Sequence, residues 1–281
     1  MALRDTLRSV TVPIEGNTAT SFWTGTGFFF KQEKKDDQGK IIDMQVWLVT
    51  NRHVALDKDE TGKEIVPLSI TFKMRCVDST PKVQWFPITI NEKELKTIMK
   101  VHNDENVDVA LINVGQMIID AQKANPQLKF TFSAMSDNDI PQYNGFDIDV
   151  CDDAIAIGYP RGYYDITNLF PIVKSGIIAS PWGVAFMGLP RFLVDIKLFP
   201  GSSGSLVISK PSFDVVINGC QTTFTTKKYA FLGVFSSEPY KSGKPIKVDE
   251  ELTIIKKSTY NLGIVWYSQL VIDIINSGVN P

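Results

Sequence analysis

At 281 residues the chain is long enough for one large or two small domains with an ample core. A composition of 43% hydrophobic and 21% charged residues, with a formal net charge of −2, is that of an ordinary soluble protein and exerts no global pull on nucleic acid or an acidic membrane. The three cysteines are odd in number and far apart, which excludes a paired Cys-x-x-Cys zinc or redox motif.

The first residues, Met1 to Arg8, carry charges where a signal peptide needs an unbroken apolar core, and no later run approaches a membrane span. A cytoplasmic location is expected. No local basic patch restores a nucleic-acid role, because Lys34–Lys35 is followed at once by Asp36–Asp37 and Lys256–Lys257 is an isolated pair. Cys76, Cys151 and Cys220 are expected to be buried, reduced and structural, and Cys220 has no nearby base to make it a nucleophile.

Ser21 to Phe30, aromatic and β-branched with two glycines, predicts a strand carrying a bend or bulge. The polar run Lys31 to Lys40 reads as an exposed hairpin tip. Val46 to Thr50 forms the returning strand and leads directly to Asn51, Arg52 and His53. Short apolar runs at Leu68 to Met74 and Val83 to Ile90, separated by turn residues and followed by the charged segment Asn91 to Lys96, have the rhythm of an antiparallel barrel or sandwich. An acidic loop after His102 then runs into another apolar strand, with Asp108 at the junction. An aspartate buried there needs a partner.

From Gly115 to Val150 the pattern weakens. Met117 to Lys123 predicts a short helix, and the rest reads as a connecting segment between two halves, residues 1–125 and 126–281. Strands return at Ala154 to Ile157, Ile172 to Ala179, Phe192 to Leu198, Leu206 to Ile208, Val215 to Ile217 and Tyr229 to Phe235. The chain closes with an amphipathic helix, capped by Ser268 and stopped near Gly278.

Phe199 to Leu206, Phe-Pro-Gly-Ser-Ser-Gly-Ser-Leu, is the stretch with the most chemical content. A serine attacks a carbonyl only when a base takes its proton and fixed N–H groups meet the developing oxyanion. Ser203 is the candidate nucleophile. Gly201 frees the backbone to turn, so that its own N–H and that of Ser203 can face one small pocket. Taken alone, a Gly-Ser cluster is ordinary turn chemistry. Only two histidines are available as base, and His53, held at a strand end, is a better candidate than His102 in its solvated loop. His53 and Asp108 belong to one set of strands and Ser203 to the other, so their meeting requires a cleft between two halves.

Thr50-Asn51-Arg52-His53-Val54-Ala55, Asp108-Val109-Ala110-Leu111 and Gly201-Ser202-Ser203-Gly204-Ser205 resemble, in order, the three signature segments of trypsin-like (chymotrypsin-fold) serine proteases. The Thr-Gly-Thr-Gly-Phe strand, Ala156-Ile157-Gly158-Tyr159-Pro160-Arg161-Gly162 and the run Val173 to Ser180 are most similar to the bacterial HtrA-type branch. The resemblance covers roughly residues 20 to 240.

It implies an all-β fold of two six-stranded antiparallel β-barrels with the active-site cleft between them, plus the C-terminal α-helix. The implied activity is that of a serine endopeptidase on a protein or peptide substrate, without cofactor or metal. His53 would be general base and then acid, Asp108 would orient it, Ser203 would form the acyl-enzyme, and the N–H groups of Gly201 and Ser203 would form the oxyanion hole. Phe235, Ser236 and Ser237 would border the P1 pocket, and Ser237, where many members have glycine, would narrow it toward small or medium apolar side chains. Ser202 replaces the aspartate that, in digestive members, pairs with a newly cut N-terminus, which argues against that route of activation. Nothing after Phe235 has the length of a PDZ module. Two other outcomes remain open at this point: a latent protease switched on by an activating partner at the middle segment, or a non-catalytic binding module on the same fold.

Overall fold

Three consecutive phenylalanines set the architecture. In the computed structural model, which describes residues 3–80, 82–247 and 253–281, they lie in the strand Phe22–Lys35. Successive side chains of a strand point to opposite faces. Phe29 therefore packs with Leu48 and Phe72 inside the first sheet. Phe28 and Phe30 face the other way and meet Phe231, Trp266 and Leu270 in an apolar layer shared by both sheets and the C-terminal helix. All three rings are fully buried. The same alternation operates in the second sheet, where Val207 and Leu232 face its interior and Leu206, Ile208 and Phe231 face the shared layer.

The first sheet has nine strands. Six carry it: Thr11–Asn17, Phe22–Lys35, Ile41–Thr50, Ser69–Val77, Val83–Asn91 and Ala110–Asn113. The short strands Met99–Val101, Lys129–Thr131 and Met135–Ser136 are added to its edges and to the strand Phe22–Lys35. The second sheet has six antiparallel strands, in the order Ile172–Ile177, Asp153–Gly158, Leu206–Ser209, Phe231–Phe235, Gly263–Tyr267, Arg191–Val194. Hydrogen bonds from Ala179 N to Leu193 O (2.8 Å) and from Asp195 N to Ile177 O (2.8 Å) bring its last strand back to its first and close a barrel. The expected all-β, two-barrel architecture is the one observed, but the first sheet has nine strands where six were expected, and one of its added strands, Met135–Ser136, pairs in parallel.

The C-terminal helix Gln269–Ser277 presents Leu270, Val271, Ile274 and Ile275 to the shared layer. Lys100 Nζ donates to Ile275 O at 2.7 Å, fixing the helix end to the first sheet. Ser268 does not cap it: the residue already has helical backbone angles and its side chain accepts no cap hydrogen bond. Among the described residues no helix is long and apolar enough to cross a membrane.

Several local expectations change. The strand at Ser21 to Phe30 runs in unbroken register from Asn17↔Phe22 to Thr11↔Phe28, with no bulge at its glycines. Gly25 and Gly27 are instead packing residues, since a Cβ on either would come within 2.6 Å of Val54 or Ile14. The middle segment is not a plain link: Gly115–Ala124 is a helix and residues 129–136 contribute two strands to the first sheet. Of the cysteines only Cys76 is buried; Cys151 and Cys220 are exposed. Cys220 follows Asn218 and Gly219, both at positive φ, in a two-residue hairpin turn that carries it to the surface. Cys151 itself has φ 75 in the turn before the strand Asp153–Gly158.

Candidate active site

The strand Ile41–Thr50 ends where Thr50 Oγ1 donates to Thr26 O at 2.8 Å, and Asn51 begins the short helix Arg52–Ala55. Three contacts fix that helix. Asn51 Nδ2 donates to Asp108 O (2.7 Å), Arg52 Nη1 donates to His102 O (2.9 Å), and the Arg52 guanidinium forks onto Glu64, with Nη2 2.8 Å from Oε2. Such bidentate pairs fix orientation as well as position.

Asp108 accepts three hydrogen bonds. His53 N donates to Oδ1 at 2.9 Å, His53 Nδ1 lies 2.7 Å from Oδ2, and Ser236 Oγ donates to Oδ2 at 2.5 Å. A carboxylate that can only accept holds the imidazole proton on Nδ1, which leaves the Nε2 lone pair free. The His53 side chain is 49% exposed and Asp108 is 21% exposed, so the imidazole stands at the surface of a cleft while its partner is withdrawn. His102 lies apart from this cluster, with its Nδ1 accepting from Asp104 N at 3.0 Å.

Ser203 Oγ donates to the main-chain carbonyl of Ser236 at 2.9 Å and is not hydrogen-bonded to His53. Ser236 thus touches both groups, its hydroxyl on Asp108 and its carbonyl on Ser203. The sequence placed Ser236 only at the border of a substrate pocket. Its bond to Asp108 joins residues 128 apart in the chain, and no local pattern announces it.

The loop before Ser203 is a β-turn. Ser202 N donates to Phe199 O at 3.0 Å, with Pro200 and Gly201 at the central positions. Gly201 has φ +86, the value that distinguishes a type II turn from a type I turn. The distinction matters because the two types differ in which way the central peptide points. Here Pro200 O faces Arg161 N at 2.6 Å, so in a trans peptide the Gly201 N–H must face the opposite side. Neither Gly201 N nor Ser203 N donates to a protein acceptor among the described hydrogen bonds. Arg161 itself has φ +51, an uncommon angle for a residue with a Cβ, and so the turn and its neighbour constrain each other.

Thr26, from the first sheet, anchors this loop of the second. Its N–H donates to Ser203 O (2.9 Å), its Oγ1 donates to Gly201 O (2.9 Å), and the same Oγ1 accepts from Tyr159 N (3.0 Å). Thr26→Val keeps the shape but strands Gly201 O and Tyr159 N without partners. The expected cost is about 1–3 kcal/mol of stability, read from urea unfolding. A change well below that would mean solvent replaces the hydroxyl.

Ser203 opens onto a pocket of about 220 Å³. Its walls include Leu198, Phe199, Phe235, Ser237 and Glu238. Phe235, Ser236 and Ser237 therefore stand around a cavity beside Ser203, and the sequence did not single out Leu198 or Glu238.

The model of the trypsin-like peptidase domain matches residues 25–216. A search of curated proteins finds no match. Among solved structures, the protease Anisep from Arthrobacter nicotinovorans is similar with a TM-score of 0.51 and 12% identity over 97% of this chain and 96% of that one. A thermostable serine protease, AL20, from an extremophilic microorganism gives 0.48 and 12% over 96% and 97%. The HtrA-type protease AlgW, solved with a tripeptide, gives 0.46 and 13% over 98% of this chain and 61% of that one. The chain thus spans about three fifths of that protein's length.

Proposed function

The chain belongs to the trypsin-like peptidase family, and we propose that it is a serine endopeptidase in which His53, Asp108 and Ser203 act together. The observation that carries this reading is the bonding of Asp108: it holds His53 Nδ1 at 2.7 Å while Ser236 ties both Asp108 and Ser203 into one network.

In the resting arrangement Ser203 Oγ rests on Ser236 O. Rotation about its Cα–Cβ bond releases it toward the cleft. His53 Nε2 takes the hydroxyl proton as Oγ bonds to the scissile carbonyl carbon, and the carbonyl electron pair moves onto oxygen. The N–H groups of Gly201 and Ser203 meet that charge. His53 then gives the proton to the leaving amine, and an acyl-enzyme remains on Ser203. Water, deprotonated by the same imidazole, attacks the acyl carbon; the bond from that carbon to Ser203 Oγ then breaks, the imidazolium returns its proton to Oγ, and the product acid leaves. The imidazolium formed at each stage is stabilised by Asp108.

Gly201→Ala tests the turn. Its Cβ would lie 2.7 Å from Arg161 N and would make positive φ costly, which favours rotating the central peptide and turning one donor away. A fall of roughly 100- to 1,000-fold in kcat is expected, the usual effect of losing one oxyanion donor. An unchanged kcat would remove Gly201 N–H from the reaction.

The overall reading is tested by a fluorophosphonate probe, which labels only an activated serine. Labelling of the protein, blocked by prior treatment with an unlabelled phosphonate, supports it. Absence of labelling would favour a second reading, a latent protease in which a partner must first draw Ser203 Oγ off the Ser236 carbonyl. The hydrogen bond of Ser203 away from His53 is the observation that supports this alternative.

A further inference from the structure

Phe199 stands two residues before Gly201, is 41% exposed, and lines the same pocket as Ser203. Three cations from three separate parts of the second half converge on its ring. Arg161 Cζ is 5.5 Å from the ring centroid, Lys174 Nζ 5.0 Å and Lys197 Nζ 5.9 Å. Arg161 comes from the turn after the strand Asp153–Gly158, Lys174 from the strand Ile172–Ile177, and Lys197 from the segment that leads into the nucleophile turn.

None of the three pairs with a carboxylate among the described residues, although Lys31, Lys73, Lys96 and Lys210 all do. Lys174 Nζ is instead held by the main-chain carbonyl of Lys197. The aromatic face offsets only part of the mutual repulsion of like charges brought this close. On a chain with 29 basic and 31 acidic residues, this is a cluster of positive charges with no carboxylate in ion-pair contact among the described residues. An anion seated on it would relieve the repulsion.

The position says which anion. Two residues of chain span at most about 7 Å, so the ring lies close to the Gly201 N–H that faces the scissile carbonyl. A bound peptide advances about 3.3 Å per residue. The cations are therefore within reach of side chains up to about three residues from the scissile bond. The pocket interior offers the opposite charge, because Glu238 lines it and its Oε1 is shielded from solvent without a hydrogen-bond partner. An acidic side chain is repelled from the pocket and drawn to the three cations around Phe199.

We propose that the protein selects peptide substrates carrying Asp or Glu within about three residues of the cleaved bond, recognised by Arg161, Lys174 and Lys197 around Phe199. The proposal rests on the peptidase reading for its link to cleavage, but the anion surface itself does not.

The test uses acetylated, amidated fluorescent peptides, so that the only carboxylate is a Glu placed in turn at each position and replaced by Gln in the control. Binding is read by anisotropy on the Ser203→Ala protein, and cleavage on the wild type. At one or more positions the Glu peptide is expected to bind and be cleaved roughly fivefold better at low salt, since each exposed pair contributes modestly. High ionic strength and the Lys174→Gln/Lys197→Gln double variant should bring the ratio close to one. Equal behaviour of Glu and Gln peptides at every position, whether both bind or neither does, overturns the proposal, as does a preference that survives in the double variant. Binding selectivity without cleavage by the wild type would retain the anion surface and defeat the peptidase reading. Equal cleavage of both peptides would do the reverse.

Discussion

Ser203→Ala is expected to lower kcat by roughly a million-fold while leaving the fold intact, the scale on which an acyl-transfer site loses its nucleophile. The rate falls because no other hydroxyl occupies the same place. Ser202 and Ser205 are buried, and Ser236 Oγ is committed to Asp108. What remains is the catalysis that two fixed N–H donors and binding can supply, about 10³–10⁴-fold over water. Stability should move by about 1 kcal/mol or less, since the only side-chain bond removed is that of Ser203 Oγ to Ser236 O. Turnover and thermal unfolding measured on the same preparation separate the two effects. Substantial turnover by a folded Ser203→Ala protein would transfer hydrolysis to another group.

Asp108→Asn is expected to cost about 10⁴-fold in kcat, and the reason lies in the count of donors and acceptors. The carboxylate accepts from His53 N, from His53 Nδ1 and from Ser236 Oγ. An amide has one oxygen. With that oxygen on His53 N, the NH₂ group meets Nδ1 and the Ser236 hydroxyl, both of which can accept. Every hydrogen bond is then satisfied, so the local structure survives. But Nδ1 can accept only in the tautomer that puts the proton on Nε2, where it faces the nucleophile and cannot take a second one. The variant should therefore fold normally and react slowly with both peptide and fluorophosphonate. A loss of less than tenfold would show that another group sets the tautomer.

Legibility in the sequence followed the range of the forces involved. Phe28 to Phe30 and Val46 to Thr50 were readable as strands because apolar runs bounded by polar turns report burial locally, and His53 was readable because such a strand delivers it. The strand Thr11–Asn17 was not, since it contains Pro13 and Gly16. The structure explains both: Pro13 precedes Ile14, where pairing to the second neighbour begins, and Gly16 leaves room for the Trp23 ring. Asn91 and Glu94 form a capping box at the start of the helix Glu92–Ile98, a local signal present in a segment read only as a charged spacer. The hairpin strand Cys220–Lys228 alternates polar residues on an open face and offers no apolar run to read. The roles of Thr26 and Ser236 depend on partners more than a hundred residues away, which no period or turn signal encodes.

On the peptidase reading proposed above, Thr26 would also impose an order on biosynthesis. Chains emerge N-terminal half first, and domains tend to fold as they appear. The first half carries His53 and Asp108 but not Ser203. The second half brings Ser203, but Ser203 O, Gly201 O and Tyr159 N all find their partner on Thr26, and Asp108 waits for Ser236. Neither half alone contains an assembled site. On that reading a ribosome-bound chain, and neighbouring unfolded proteins with it, would be spared hydrolysis until the last strands have docked.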